Sequence, residues 1–244
     1  MTAADAPLQP QELDLRHPLE PLSPPAGGTV VLRTADARTQ GEAAARLAPG
    51  LLDAEESRRA AAFVRDADRA AYITAHVALR LLLGPLLDTA PAAVRFARQP
   101  CPVCGGPNGR PVSVPAGTHF SLSHSRHLIL LAFAAVPVGA DVEALPSARS
   151  LSDLRAFLHP REQAELAALP ESGHPAAFAR AWVRKEAYLK GTGTGLAHES
   201  DGYAGTGPVP AQERPGWLLR DVVAPEGFTG AIALRSAGET APGR

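Results

Sequence analysis

The feature that constrains the fold most is a repeated order of strand-like and helix-like segments. In the first round, a β-branched segment at 29–34 precedes the stretch 54–87, in which apolar residues recur at helical spacing. Residues 120–123 and the apolar run 127–136 then form two strand candidates joined by a tight turn. A chain that begins in this order needs helices and sheet packed in layers.

The second round begins at residue 138 and repeats the order. Residues 138–145 are a strand candidate, and the helical stretch 150–169 is interrupted at His159-Pro160, where proline fits the first position of a new helix. A helix over 176–190 ends at Gly-Thr-Gly-Thr-Gly, and two strand candidates follow it. The pattern predicts an α+β fold with halves that meet near residue 137. We assign a flexible lead-in to 1–28, an N-terminal half to 29–136 and a C-terminal half to 137–244.

Charge and composition argue against several classes of protein. The net charge of −1 is unlike the basic excess of a dedicated nucleic-acid binder. The sequence has no run of about 18 apolar residues, the length that a membrane-spanning helix needs. Its first residues lack the basic and then apolar order of a signal peptide. We therefore predict a cytoplasmic protein that binds neither nucleic acid nor membrane.

The two cysteines are too few for a disulfide framework. Cys101 and Cys104 have the spacing of half a zinc ribbon, but no second pair follows to complete four thiolate ligands. His119, His124 or His127 could complete such a site. We favour a tight turn over bound zinc.

Two carboxylates share one face of the strand candidate at 138–145. The strand period of two places Asp141 and Glu143 on the same side as Gly139, which leaves space beside them. Neighbouring carboxylates repel each other unless a positive charge lies between them, and Mg²⁺ prefers a few carboxylates together with substrate phosphate. The pattern therefore indicates either a metal site or an exposed strand face with two ordinary acids.

The helix at 176–190 contains the only lysines of the chain. Lysine occurs twice among 24 basic residues, at Lys185 and Lys190, and all the others are arginine. Glu186 and Lys190 are four residues apart and adjacent on the helix surface, as in a common surface ion pair. A surface pair would not need lysine in a chain that otherwise uses arginine. A compact ammonium is required where a broad guanidinium would not fit, which favours a crowded polar site for Lys190.

Several candidate anion-binding side chains lie in the later part of the first round. His124 stands where a strand runs into a turn, and it is either a structural histidine or a hydrogen-bond donor to phosphate. The hydroxyls of Ser121, Ser123 and Ser125 are further donors around it. Arg110 follows a glycine and precedes a proline, which would hold a bidentate oxyanion binder rigidly.

Four motifs in order resemble the Sfp-type 4′-phosphopantetheinyl transferases. They are NGRP at 108–111, FSLSHS at 120–125, VGADVE at 138–143 and WVRKEAYLKGTGTGL at 182–196. The resemblance implies two α+β halves related by a pseudo-twofold axis in one chain, with the active site between them. It implies transfer of the phosphopantetheine arm of coenzyme A to a carrier-protein serine, with release of adenosine 3′,5′-bisphosphate.

The resemblance also implies roles for individual residues. Asp141, Glu143 and Glu186 fall on the Mg²⁺-binding positions of the family, and Asp141, Glu186 and Lys190 on the catalytic ones. The coenzyme A positions, which include Asp141 and Lys190, are completed by Arg59, Arg69, Arg110, Ser123 and His124. The sequence departs from the family pattern at Val142, where isoleucine is frequent, and at His76, where some relatives carry arginine.

The resemblance leaves the acceptor open. We expect a monomer that acts on acyl or peptidyl carrier domains, of the polyketide or nonribosomal-peptide type. The alternatives are an enzyme dedicated to the fatty-acid carrier protein, with the same motifs, and a non-catalytic protein that binds coenzyme A or a carrier. The second alternative predicts loss of a metal carboxylate, yet all three carboxylates are present.

Overall fold

The computed structural model describes residues 6–195 and 202–236. The predicted motif at 182–196 therefore lies within the described residues except for Leu196, and the ends of the lead-in and of the C-terminal half lie outside them. Across these ranges, none of the helices has the length and apolarity needed to cross a bilayer.

Helices and strands alternate much as the sequence predicts, and the mixed α+β class is confirmed. The N-terminal elements are β1 Gln11–Glu12, β2 Val30–Asp36, α1 Ala37–Leu51, α2 Ala54–Ala61, α3 Asp66–Leu86, β3 Arg95–Arg98, β4 Pro111–Val114, β5 His119–Ser125 and β6 Leu128–Ala134. The C-terminal elements are β7 Val138–Ala144, α4 Ala148–Leu154, α5 Pro160–Ala167, α6 His174–Thr192, β8 Trp217–Val222 and β9 Phe228–Arg235. The pseudo-twofold relation between the halves and their exact boundaries stay predictions.

The strands of the described ranges form three sheets. The largest has the order β1-β2-β6-β5, in which β1 runs parallel to β2 and the remaining pairs are antiparallel. The C-terminal sheet has the order β7-β9-β8 and is antiparallel throughout. β3 and β4, which lie between β2 and β5 in sequence, form a two-stranded antiparallel ribbon. Strands β5 and β7 are the edge strands at which the two larger sheets meet.

The predicted helix at 54–87 is two helices, and a further helix precedes it. Asp53 caps α2 in a capping box with Glu56, and the chain leaves the helix at 62–65 before α3 begins. Helix α1 was missing from the sequence-based assignment because its buried face is made of Ala37, Gln40, Ala43 and Ala44, which give no large-apolar periodicity.

The described part of the predicted lead-in packs first on the C-terminal sheet, where Leu8 bonds to Asp221 and Val223, and then on the N-terminal half. Leu13, Leu15 and Leu22 are buried in the same core as α1 and α3. The backbone N–H of Leu15 donates to Oε1 of Gln40 at 2.8 Å, so a buried polar group of α1 anchors this segment. Three leucines among polar and proline residues are too sparse to show a period, and their burial depends on the surface that α1 and β2 provide.

Helix α6 crosses the C-terminal sheet at close range. A Cβ atom at Gly139 of β7 would lie 1.9 Å from the carbonyl oxygen of Ala187 and 2.3 Å from the backbone nitrogen of Gly191. The two backbones can approach this closely because both Gly139 and Gly191 lack a side chain. The helix ends at Gly193, which has φ of 80°. This contact fixes α6 against β7 and so fixes the groups that the two elements carry.

Candidate active site

The serines of β5 join the two larger sheets. Ser121 Oγ accepts the backbone N–H of Ala140 at 2.9 Å, and Ser125 Oγ accepts that of Ala144 at 3.1 Å. These hydroxyls take the place of carbonyl acceptors at the edge of β7, where no strand ladder continues. The two sheets therefore meet along a row of side-chain hydrogen bonds.

The alternation predicted for β7 is present. Val138, Ala140 and Val142 are buried in a cluster with residues of β6 and β9. Asp141 and Glu143 point to the opposite side, towards α6 and β5, where Asp141 is only 2% exposed. The interpretation as an exposed strand face with two ordinary acids does not hold for Asp141.

The carboxylates of β7 and α6 lie close enough to affect each other. Burial raises the pKa of Glu186 to about 7, with the negative charge of Asp141 as the next cause and that of Glu143 adding to it, against the opposing effect of Lys190. Burial also raises the pKa of Glu143, which the Ser125 hydroxyl partly offsets. Three carboxylates thus share one partly desolvated site, where a cation would relieve their repulsion.

Two carboxylate oxygens at this site have no partner. Oδ2 of Asp141 and Oε1 of Glu186 are buried and accept no hydrogen bond. Buried charged oxygens are costly unless they are paired or bind a metal, so both atoms could accept a cation. Within the described ranges, no three or more His, Cys, Asp or Glu side chains stand in a ready metal-binding group. The donors fit a hard divalent ion in chemistry and burial, and a cation would draw them together.

The sequence predicts a crowded polar site for Lys190, and in the structure its ammonium lies inside this acidic group. Its Nζ donates to Oδ1 of Asp141 at 2.6 Å and to Oγ of Ser123 at 2.8 Å. Ser123 in turn donates to the same Asp141 oxygen at 2.8 Å. The ammonium of Lys190, the hydroxyl of Ser123 and Oδ1 of Asp141 are thus hydrogen-bonded to one another. The planar guanidinium of an arginine is too broad to take the place of the ammonium nitrogen in this arrangement.

Lys185 has a different environment on the same helix. It is buried, and its Nζ lies 2.6 Å from Oε2 of Glu162 on α5. The other oxygen of Glu162 accepts the backbone N–H groups of Ala204 and Gly205 at 2.7 and 3.2 Å. Lys185 therefore holds α5 and the segment after α6 together, away from the acidic site.

A cleft opens from the acidic site towards α2 and α3. It has a volume of about 800 Å³, and its lining includes Asp141, Glu143, Glu186, Lys190, Ser123, His124, Arg59, Tyr72, His76 and Phe96. Burial lowers the pKa of His124, and the positive charges of Lys190, His76 and Arg59 lower it further. The cleft thus combines a carboxylate end with a wall of basic and aromatic side chains, as binding of an adenosine phosphate would require.

The predicted basic residues are not all in the cleft. Arg59 lines it, whereas Arg69 bonds to Asp66 and to the carbonyl of Phe63 and does not line it. Arg110 lines an adjoining cavity of about 260 Å³ together with Lys190. Its Nε donates to Oε1 of Gln99 at 2.7 Å. The phosphate contacts predicted for these arginines stay predictions.

Sequence reasoning missed Arg98 and the partners of Arg80. Arg98 of β3 lines both cavities, and it belongs to no motif that singles it out. Arg80 is fully buried and bonds to Glu56 and Asp53, while His76 Nδ1 lies 2.9 Å from the second oxygen of Glu56. These bonds fix α2 on α3 and so set the position of Arg59.

The cysteine pair forms the tight turn that we favour from the sequence. Cys101 is buried and Cys104 is exposed, and both are free thiols. The N–H of Gly105 donates to the carbonyl of Cys101 at 2.8 Å, and the N–H of Cys101 donates to that of Gly106 at 2.7 Å. Among the described residues, no histidine joins the pair in a metal-binding group.

Comparison with known proteins identifies the family. The family model described as the 4′-phosphopantetheinyl transferase superfamily matches residues 137–205, which contain β7 and α6. The 4′-phosphopantetheinyl transferase HetI of Nostoc sp. is 31% identical over 196 residues, which span 77% of this chain and 80% of that protein. The chain belongs to the 4′-phosphopantetheinyl transferase superfamily. The predicted family is confirmed, and with it the assignment to an enzyme family that uses coenzyme A and carrier proteins.

Two further 4′-phosphopantetheinyl transferases are similar over shorter stretches. The protein ffp of Bacillus subtilis is 26% identical over 157 residues, which cover 63% of this chain and 65% of that protein. Sfp of Bacillus subtilis is 30% identical over 86 residues, which cover 35% of this chain and 38% of that protein. The residues that form the acidic site, Asp141, Glu143, Glu186 and Lys190, lie inside the segment that the superfamily model matches.

Proposed function

We propose that this family member transfers the 4′-phosphopantetheine arm of coenzyme A to a serine of an apo acyl or peptidyl carrier protein. The acceptor is a carrier of the polyketide or nonribosomal-peptide type, the second product is adenosine 3′,5′-bisphosphate, and the reaction depends on Mg²⁺. One observation carries the proposal. In a cleft of about 800 Å³, Lys190 stands with the buried Asp141 and the half-buried Glu143 and Glu186, and one oxygen each of Asp141 and Glu186 has no hydrogen-bond partner.

Asp141, Glu143 and Glu186 are the residues that would hold the metal. Their oxygens are hard donors, and the unpartnered atoms of Asp141 and Glu186 are available without breaking a hydrogen bond. When bound, Mg²⁺ neutralises pyrophosphate charge and polarises the phosphorus–oxygen bonds. The protein supplies the rest of the catalysis by positioning and electrostatics, as phosphoryl-type transfer requires.

The reaction makes one phosphorus–oxygen bond and breaks another. The carrier serine oxygen attacks the phosphorus that bears the pantetheine arm, and the bond from that phosphorus to the adenosine bisphosphate oxygen breaks. The serine proton goes to a base, and the carboxylate of Glu186, a residue that lines the cleft, takes it directly or through a water. Lys190 stabilises the charge that develops on the leaving phosphate.

The remaining cleft residues bind the nucleotide. His124 lies on the cleft wall and can donate to phosphate, and Arg59 lines the same cleft from α2. Ser123 lies beside Lys190 and would have to release its bond to Asp141 before it could donate to phosphate. Arg110 approaches from the adjoining cavity. Arg69 would have to leave its contacts with Asp66 and Phe63 to take part. These cations would neutralise the charge that the adenosine phosphates bring into a partly buried site.

The test is a direct transfer assay. The protein is incubated with coenzyme A, Mg²⁺ and a panel of apo carrier proteins of the polyketide, nonribosomal-peptide and fatty-acid types, and each carrier is weighed by mass spectrometry. We expect the mass of the phosphopantetheine arm on carriers of the first two types, and no transfer when a chelator replaces Mg²⁺. No transfer to any carrier, with coenzyme A bound, would refute the enzymatic function. Transfer to the fatty-acid carrier alone would refute the proposed acceptor.

A further inference from the structure

Ser125 and Ser121 have the same structural task and differ in one contact. Each is on β5, and each accepts a backbone N–H from β7, that of Ala144 at 3.1 Å for Ser125 and that of Ala140 at 2.9 Å for Ser121. Ser125 alone of the two also bonds a carboxylate, since its Oγ lies 2.6 Å from Oε2 of Glu143. Substitutions of the two serines can therefore distinguish the effect of the bond that joins the sheets from an effect on the acidic site.

The direction of the bonds at Ser125 is fixed by chemistry. A backbone N–H can only donate, so the bond from Ala144 occupies a lone pair of the Ser125 oxygen. A hydroxyl has one hydrogen, and an ionised carboxylate can only accept, so that hydrogen goes to Glu143. The hydroxyl cannot turn away without leaving a carboxylate oxygen or a backbone donor unpaired. Ser125 is thereby committed to Glu143 and is not a free donor to a phosphate.

The hydrogen bond from Ser125 engages only Oε2 of Glu143 and does not involve Oε1. Oε2 is held by the Ser125 hydroxyl, and the same hydroxyl oxygen accepts the N–H of Ala144, so the group that holds the carboxylate is itself anchored to β7. Asp141 has a parallel arrangement, in which Ser123 and Lys190 hold Oδ1 and Oδ2 has no partner. In both cases a serine of β5 binds one oxygen of an acid of β7. The two serines are two residues apart in sequence, and so are the two acids.

We propose that Ser125 is a positioning residue for the divalent-cation site, and that its hydroxyl sets the orientation of the Glu143 carboxylate towards the cation. The inference rests on the proposed function, because it assumes that Glu143 belongs to a cation site. It assigns to Ser125 a role in the second layer around that site, where groups that orient a ligand typically change metal affinity by about 10- to 100-fold. Ser121 has no such role.

The experiment measures cation affinity without any reaction. Mn²⁺ replaces Mg²⁺ as a paramagnetic probe, and its dissociation constant is measured by electron paramagnetic resonance for the wild-type protein in the absence and presence of coenzyme A. The variants are Ser125→Ala, Ser125→Thr, which keeps the hydroxyl, Ser121→Ala as the matched control, and Glu143→Gln. Thermal unfolding of every variant is followed in parallel.

We expect Ser125→Ala to weaken Mn²⁺ binding by about tenfold or more. Ser125→Thr should bind Mn²⁺ nearly as the wild type does, and Ser121→Ala should lower the melting temperature without changing the affinity. Wild-type affinity in Ser125→Ala, or equal losses in both alanine variants, would refute the positioning role. If the wild-type protein and Glu143→Gln bind Mn²⁺ equally weakly, the cation site itself is refuted and the proposed function fails at that step.

Discussion

Substitution of Gly139 by alanine tests whether the contact between β7 and α6 builds the active site. The new Cβ would lie 1.9 Å from the carbonyl oxygen of Ala187 and 2.3 Å from the nitrogen of Gly191, and both are backbone atoms that cannot rotate away. An ordinary contact begins at 3.4 Å, so the helix would have to move by roughly 3.4 − 1.9 = 1.5 Å. Overpacking of a close-packed contact costs about 1–3 kcal/mol and occasionally more.

The same movement would displace the groups of α6 that we propose to be catalytic. Glu186 directly precedes Ala187, and Lys190 directly precedes Gly191, the two residues whose backbone atoms Gly139 contacts. A displacement of about 1 Å at a reacting group can cost on the order of 10²-fold in rate. We therefore expect Gly139→Ala to lose about 2–3 kcal/mol of unfolding free energy and at least about 10²-fold in transfer rate.

Gly230 provides the matched control on the neighbouring strand. A Cβ there would lie 3.4 Å from Cβ of Val222 and 3.5 Å from the carbonyl oxygen of Asp141, which are ordinary contacts. Urea unfolding and the carrier mass assay are run on both alanine variants. Gly230→Ala should change the unfolding free energy by less than about 1 kcal/mol and leave most of the activity. Equal effects at the two glycines, or wild-type behaviour of Gly139→Ala, would refute the reasoning.

Four further outcomes are expected. Lys190→Arg should reduce the transfer rate at least about tenfold despite keeping its charge, because the guanidinium does not fit the ammonium position; near-normal turnover in the mass assay would contradict this. Glu186→Gln should lower transfer by about 10²-fold or more with no loss of melting temperature, since it removes a charge from a repelling group; a folded and fully active variant would exclude Glu186 as base. Lys185→Met should cost about 3–5 kcal/mol in urea unfolding, because it leaves the buried Glu162 charge without its cation. A loss of unfolding free energy no larger than that from breaking an exposed ion pair would show instead that Glu162 takes up a proton or another partner in the variant. The pKa of His124 is lowered by burial and by neighbouring positive charge, so this histidine is neutral at pH 7, and an anionic phosphate beside it would raise its pKa and cause proton uptake when coenzyme A binds. Calorimetry of coenzyme A binding in buffers of different ionisation enthalpy should detect that uptake in the wild-type protein and less of it in His124→Gln; equal uptake in both would place the proton elsewhere.

Local patterns predicted the elements that carry the acidic site. The period of two placed Asp141 and Glu143 on one side of β7, and the helical period placed Glu186 beside Lys190 on α6. The Gly-rich end of α6 was also predicted, and the helix stops at Gly193. These features depend on backbone geometry within a few residues, so the sequence carries them without reference to the rest of the chain.

Elements without a large-apolar period were harder to predict. Helix α1 is missing from the sequence-based assignment because alanine forms most of its buried face, and the break between α2 and α3 was hidden by apolar residues on both sides. The capping box at Asp53 and Glu56 was the one local signal that marked the start of α2. Arg98 carries no local signal for its place at the cleft.

By itself, the sequence determined the chemistry of the site, namely which acids and which lysine are available and which of them share a strand or a helix face. Tertiary structure alone decided their partners. Lys190 bonds to Asp141, which is 49 residues away in sequence, and Ser125 bonds to Glu143, which is 18 residues away. The second lysine, Lys185, pairs instead with the buried Glu162 on α5. Such pairings depend on how the sheets and α6 pack, because side chains far apart in sequence come within hydrogen-bond distance only when the backbones of their elements are fixed against one another.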